Sequence, residues 1–283
     1  MYHKIRREMF LLHYKQNLHI HSTYVDGKDT PEEMVLEAIS KGFDSIGFSE
    51  HSYLPYSPRS SRFTEAQAKR YAEEVHDLKR KYQDQIQIFC GLEYDFYSNM
   101  DTASFDYLIG SVHYLDCGGQ IVSFDKGLPE TIDYIRAYFD CDALAFAKKY
   151  YETVARLPEK ASFDILGHFD LITKNNETGK FLDVSSKEYL GIGLETIHAL
   201  KGKIPFFEVN TGSLARGYRT TPYPQLEFLR EFRQQGFGVV ITSDCHDKNF
   251  IDFFYPDAEA LIRAAGFETK WILTESGFRE VTL

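Results

Sequence analysis

Apolar positions along the chain fall into short runs separated by stretches of helical period. The run LHIH at 18–21 comes first. TPEEMVLEAISKG follows with the spacing of an amphipathic helix. Thr30 is its N-cap, Pro31 its first helical residue, Glu33 its capping-box partner and Gly42 its stop. DSIGFSEH (44–51) reads as a second strand, and TEAQAKRYAEEVHDLKRKY (64–82) as a long helix capped by Thr64 and Gln67. IQIFCGLE (86–93) and FDYLIGSVH (105–113) are the third and fourth strands. A helical insertion occupies about 129–157. SFDILGH (162–168) is the fifth strand, followed by a helix beginning near Ser185 with Glu188 as capping partner. IPFFEVN (204–210) is the sixth, Thr221-Pro222 opens another helix, and GFGVVITSDCH (236–246) is the seventh. A last helix starts at Pro256, and a short strand pair is expected at about 270–283.

Strands alternating with helices predict a parallel sheet covered by helices. The polar residues discriminate between an open sheet and a closed barrel. Six of the seven strands end in a potential metal ligand: His21, His51, Glu93, His113, His168, and Asp244 with His246; the other ends at Asn210. An open sheet spreads its strand ends along a line, whereas a barrel gathers them around one mouth. The expected fold is therefore a (βα)7-like barrel, with residues 1–283 as one domain.

The chemistry is concentrated at those ends. In NLHIHSTYVDG (17–27), His19 and His21 sit at i and i+2 of an extended segment, so both side chains reach one point and Ile20 turns away. Asp244 and His246 repeat the arrangement, with Cys245 facing the other way. His3, His13, His76 and His198 lie away from strand ends and read as ordinary histidines. Mixed imidazole and carboxylate donors suit Zn, Mn or Fe(II). Glu93 is placed to bridge two closely spaced cations and offset their repulsion. Clustered ions of this kind activate water and polarise phosphoryl oxygens, which points to phosphoester hydrolysis.

Charge and composition narrow the partners. The formal net charge is -10, which argues against a general nucleic-acid or membrane surface. An anionic substrate then needs local positive charge. Arg216, Arg219, and Arg59 and Arg62 in PYSPRSSRF are candidates for a phosphate clamp, each by default a solvated charge, and Asn210 either orients substrate or caps its strand end. Cys90, Cys117, Cys141 and Cys245 form no CxxC pair and read as free thiols of a reducing cytoplasm. Only Met9 to Leu12 are apolar near the basic N-terminus, too short for a signal-peptide core.

HxH near the N-terminus, then SEH, GLE, SVH, GHFD and SDCH, resemble in that order the polymerase and histidinol phosphatase (PHP) family, over residues 17–246. EVNTGSLARG (208–217), TPYP (221–224) and the helical insertion resemble the histidinol-phosphate phosphatases of that family. The resemblance implies a distorted seven-stranded barrel with three divalent metal ions at the C-terminal ends of its strands. It implies His19, His21, Glu93 and Asp244 on the first ion, Glu93, His113 and His168 on the second, and His51 and His246 on the third. Asp26 completes the third, in place of a histidine that many members carry one residue later. The implied activity is hydrolysis of L-histidinol phosphate, in histidine biosynthesis, by a metal-bridging hydroxide. Arg216 would stabilise charge and Asp244 or His246 would protonate the leaving alkoxide. The alternatives are another small ester, such as a nucleotide or sugar phosphate, and a 3′-5′ exonuclease or structural module of a polymerase. The acidic charge and the full ligand set speak against the last two. Neither the oligomeric state nor the groups that read the substrate's imidazole and ammonium follow from the sequence.

Overall fold

The computed structural model describes residues 14–283. The basic N-terminal stretch, with Met9–Leu12, His3 and His13, lies outside the described residues. In chain order the strands are β1 (Gln16–Asn17), β2 (Ser45–His51), β3 (Gln87–Asp95), β4 (Tyr107–Ser111), β5 (Tyr114–Asp116), β6 (Ile121–Ser123), β7 (Ile165–Leu166), β8 (Phe206–Asn210), β9 (Gly238–Thr242), β10 (Thr269–Thr274) and β11 (Gly277–Thr282). Seven of them form one parallel sheet in the order β1-β2-β3-β4-β7-β8-β9. The two edges then meet. Ile20 bridges Cys245 in parallel, His21 N donates to the Cys245 carbonyl at 2.8 Å, and Cys245 N donates to that of His19 at 3.1 Å. The result is a nearly closed barrel, and its seam is made by the residues between the ligand pairs.

The helices follow their local signals with instructive exceptions. Helix α1 (Pro31–Ser40) carries the expected capping box between Thr30 and Glu33, and the chain leaves it through Gly42 at a φ of 69°. Helix α2 (Glu65–Lys81) begins after Thr64 as expected, but Thr64 makes no side-chain cap, so the pairing with Gln67 does not form. The 129–157 insertion is two helices, α3 (Leu128–Phe139) and α4 (Ala143–Ala155), because Asp140 and Cys141 turn into the left-handed region. It is preceded by an antiparallel hairpin, β5–β6, that helical periodicity could not reveal. After the short α5 (Asn176–Gly179), helix α6 (Lys187–Leu200) is capped by Ser186, which accepts from Tyr189 N, rather than by Ser185 with Glu188. Beyond the short α7 (Gly212–Ala215), Thr221-Pro222 does not open a helix. Tyr223 instead pairs with Asn210, and α8 (Leu226–Gln235) starts after Gln225. Helix α9 (Tyr255–Ala264) precedes the C-terminal strand pair, β10–β11, which is an antiparallel hairpin.

Two apolar regions hold these elements. The larger lies between the sheet and its helices, with Phe48, Leu92, Phe207 and Ile241 packed against residues such as Val35, Val75 and Phe228. The smaller joins Leu18, Phe89, Tyr107, Ile109, Ile165, Phe206 and Val240 with Leu273 of β10. Phe89 shares a strand face with Glu93, and Ile109 with His113, so this second cluster fills the barrel interior beneath the polar mouth.

Tyr107 crosses that interior. Its Oη lies 2.6 Å from the Leu18 carbonyl and 3.0 Å from that of Phe48. The ring fits because the facing residues are glycines: a Cβ on Gly91 would sit 2.3 Å from Tyr107 Cζ, and one on Gly47 2.4 Å from its Oη. Gly91→Ala should therefore overpack the barrel and destabilise the protein by about 1–3 kcal/mol. A melting temperature equal to that of the wild type would refute this packing account.

Candidate metal centre

His51 and Glu93 lie within β2 and β3, whereas His19, His21, His113, His168, Asp244 and His246 lie just past β1, β4, β7 and β9, where the strands end sooner than the sequence pattern predicts. Glu93 is 1% exposed and has imidazoles on both oxygens. Its Oε1 lies 2.8 Å from His168 Nε2 and 3.4 Å from His113 Nε2. Its Oε2 lies 2.6 Å from His51 Nδ1, 3.5 Å from His19 Nε2 and 3.6 Å from His21 Nε2. The five rings form a closed circuit, with neighbouring centroids 5.2 Å (His19–His21), 4.4 Å (His21–His51), 5.1 Å (His51–His113), 5.0 Å (His113–His168) and 5.9 Å (His168–His19) apart. His246 stacks on His21 at 4.1 Å.

The other two carboxylates close the open side. Asp244 Oδ1 lies 3.5 Å from His21 Nε2 and 3.9 Å from His19 Nε2. Its φ of 46° is a left-handed conformation that costs an ordinary L-residue about 1–2 kcal/mol and Asp less. Asp26 reaches in from the loop after β1, with Oδ1 3.3 Å from His246 Nε2 and Oδ2 3.6 Å from His51 Nε2.

These residues suit divalent cations. Donor atoms within 4.8 Å of one another occur as His21, Asp26, His51 and His246; as His19, His21 and Glu93; and as His51, Glu93 and His113. His19 Nε2 and both ring nitrogens of His21 are buried without a hydrogen-bond partner, and Asp26 Oδ1 and Glu93 Oε2 are buried beside imidazole nitrogens without a well-aligned hydrogen bond. Buried polar atoms are ordinarily paired, so this many converging orphans mark a place for ions. Cys245 turns away, its thiol donating to the Asp247 carbonyl at 2.8 Å. All four cysteines are free thiols.

The electrostatics follow from the crowding. Burial is the largest single influence on His51 and His113 and opposes their charge, but Glu93 together with Asp26 and Asp95 respectively outweighs it and holds them at about 9 and about 10. Burial likewise opposes ionisation of Glu93, yet His51, His113 and His19 keep it well below the usual carboxylate range. His21 is pushed down by burial and then by His246 and His51, which favours the neutral ring, with the lone pair of one nitrogen available to an ion.

The arginines separate. Arg216, whose side chain is 34% exposed, donates from Nη2 to Asp244 Oδ2 at 2.9 Å and from Nη1 to the Asp244 carbonyl at 3.2 Å. Arg59 lies 3.2 Å from Asp26 Oδ2 and 3.3 Å from both His51 Nε2 and Asp125 Oδ2. Arg219 is drawn aside: its side chain is 6% exposed, paired with Asp170 at 3.3 Å and bonded to Thr173. Arg62 is exposed and makes no side-chain hydrogen bond or ion pair among the described residues. Neither is brought to the cluster. Asn210 bonds inward, to Glu208 at 2.8 Å and Asp244 at 3.5 Å, and its Oδ1 accepts from Gly212 N at 2.9 Å.

Several supporting residues escaped the sequence reading. Glu208 is fully buried and accepts from His19 Nδ1 at 2.8 Å, His168 N at 2.6 Å and Thr242 Oγ1 at 2.8 Å. Asp95 holds His113 through its N at 2.9 Å and Nδ1 at 3.3 Å. Such partners orient ligands and fix their tautomers. A signal existed: Asp95 and Glu208 lie two residues from Glu93 and Asn210, on the same strand faces. Glu50, pushed up to about 8 by burial, accepts from Ser22 N at 2.7 Å. Asp125 joins Arg59 to Lys174 at 2.6 Å.

Known proteins share this architecture. The PHP domain family matches residues 17–212. The histidinol-phosphatase of Bacillus subtilis is 26% identical over 262 residues, covering 85% of this chain and 97% of that protein. That of Lactococcus lactis subsp. lactis is 28% identical over 280 residues, covering 94% and 96%. A crystal structure of histidinol phosphate phosphatase from Lactococcus lactis, complexed with zinc, L-histidinol and phosphate, superposes with a TM-score of 0.71 at 22% identity, covering 94% of this chain and 98% of that one.

Two outcomes test the cluster. Glu93→Ala should lower the divalent metal bound after dialysis, measured by mass spectrometry; full loading would remove Glu93 from the centre. The second outcome is a pH dependence. Charged His51 and His113 stabilise the metal-free fold fully below about pH 6.5, and that stabilisation fades as pH rises through about 9 and about 10. Chelated protein should melt progressively lower across that window. Metal-loaded protein should lack this component, because bound ions have already displaced the protons. Equal pH slopes with and without chelator would contradict the assignment.

Proposed function

The chain belongs to the PHP domain family, and from that premise we propose that it is a metal-dependent phosphomonoesterase hydrolysing L-histidinol phosphate to L-histidinol and inorganic phosphate. The observation that carries this reading is the circuit of buried imidazole and carboxylate atoms around Glu93, with the Arg216 guanidinium beside it. The histidinol-phosphatase relatives that align along most of their length support the substrate. So does the Lactococcus lactis structure with zinc, L-histidinol and phosphate. The absence of a basic track favours a small ester over a polynucleotide.

The overlapping donor groupings, which share His21, His51 and Glu93, suit a cluster of divalent ions of Zn, Mn or Fe(II) type, and the resemblance of the motifs supports three of them. His19, His21, Glu93 and Asp244 would hold one; Glu93, His113 and His168 a second; Asp26, His51 and His246 a third. The ions would supply Lewis-acid activation of the attacking water and of the phosphoryl oxygens.

The protein's own groups do the rest. Arg216 is anchored on Asp244 yet part-exposed, so its remaining N–H groups hold a phosphoryl oxygen and set the angle of approach. Arg59, paired with Asp26 and close to His51, adds positive charge at the rim. As the new P–O bond forms and the ester P–O bond breaks, the proton given up by the attacking water reaches the departing alkoxide by way of Asp244 or His246. Burial opposes charge on Asp244, but Arg216 and His19 keep it ionised, so it enters as an acceptor that relays a proton. Four free thiols agree with a reducing cytoplasmic setting, and no helix among the described residues is long and apolar enough to cross a membrane.

The decisive assay presents the metal-loaded protein with a panel of phosphomonoesters, nucleotides and single-stranded DNA. L-histidinol phosphate should give the highest kcat/KM; faster release of nucleotides from a 3′ end would replace this reading. Arg216→Ala should lower kcat/KM by about 10²-fold, equivalent to about 3 kcal/mol for a charged contact. Arg216→Lys should recover only part of it, because a point charge does not reproduce the guanidinium fork. Wild-type kcat/KM in Arg216→Ala would move the clamp elsewhere.

A further inference from the structure

Tyr223 is 1% exposed, and its hydroxyl has no hydrogen-bond partner. A stranded buried hydroxyl costs about 1–3 kcal/mol, and phenylalanine would fill the same space without it. The same condition marks the ion-facing atoms of His19 and His21.

The backbone determines where the ring points. Asn210 N donates to the Tyr223 carbonyl and Tyr223 N to that of Asn210, both at 2.9 Å, in an antiparallel bridge. Residues directly opposed in such a pair project to the same face. The Asn210 side chain faces Glu208 and Asp244, so Tyr223 projects to the side of the metal centre. The His168 ring stands edge-on to it at 6.5 Å. The Arg219 guanidinium covers its face at 4.4 Å and is itself held by Asp170. That clamp accounts for the position of Arg219: it fixes the tyrosine instead of meeting a ligand. Burial raises the phenol above its ordinary range despite Arg219 and Arg216, so the group remains an O–H donor.

We propose that Tyr223 is a substrate-binding residue whose hydroxyl donates to a phosphoryl oxygen of the phosphomonoester, beside Arg216. The inference rests on the phosphatase reading of this centre, but its test does not require that the ester be L-histidinol phosphate.

Tyr223→Phe removes only the oxygen. In the metal-loaded protein, inorganic phosphate should bind about 10-fold more weakly by calorimetry, the scale of one hydrogen bond to a charged group. Its kcat/KM for L-histidinol phosphate should fall at least as far, with metal content unchanged and melting temperature equal to or above that of the wild type. Phosphate affinity within twofold of wild type overturns the proposal. So does a variant that melts well below wild type or loses metal, since the hydroxyl would then serve the fold. A wild-type protein inert towards L-histidinol phosphate would sink the substrate assignment alone, and the phosphate titration would still decide the role of Tyr223.

Discussion

One buried carboxylate organises this protein. Glu93 sits at the end of β3, and histidines from four other strands or strand extensions converge on its two oxygens. No open sheet could bring His19 and His168 to the same group, since they belong to opposite parts of the strand order. The anion and the barrel's near-closure therefore depend on each other. A ring of imidazoles without a central anion would be a cluster of desolvated groups with nothing to hold. A carboxylate buried this deeply without them would lose its charge.

Around that centre lies a second circle of acids that bind no candidate ion directly. Glu208 ties His19 to the His168 backbone and to Thr242, so it couples β1, β7, β8 and β9. Asp95 does the same for His113, and its own N–H is held by Ser52 Oγ at 3.0 Å. Asp125 links Arg59 to Lys174 across three separate loops. Much of the -10 charge that looks unfavourable for an anionic substrate includes carboxylates paired in this way, facing inward to imidazole, lysine or arginine.

The barrel was legible in the sequence because its evidence was redundant: strand after strand ended in the same kinds of residue. The i, i+2 spacing at His19–His21 and Asp244–His246 translated directly into convergent side chains. What failed depended on tertiary context. Thr64 and Gln67 match a capping box in composition, yet no cap bond forms. Thr221-Pro222 resembles a helix start, but the neighbouring strand captured Tyr223 as a pairing partner. Arginines were the least legible, because a guanidinium's role depends on which acid it meets. Asp170 lies only 49 residues from Arg219 in sequence, but no local pattern joins them.

The hairpin β10–β11 makes the order of assembly matter. Gln16 Nε2 donates to the Leu273 carbonyl at 2.8 Å and Leu273 N donates back to Gln16 Oε1 at 2.8 Å, while the Leu273 side chain enters the interior cluster. A chain emerging from the ribosome possesses every candidate ion-binding residue by His246, and β1 can already pair with β2 and meet Cys245, yet the Gln16 side chain still lacks its Leu273 partner and the interior cluster beneath the mouth still lacks the Leu273 side chain. Completion waits for a contact spanning 257 residues, the kind of long-range closure that slows folding and leaves apolar surface transiently exposed. The ion-binding end of the barrel is thus the first to have all its parts, and the opposite end is the last to be sealed.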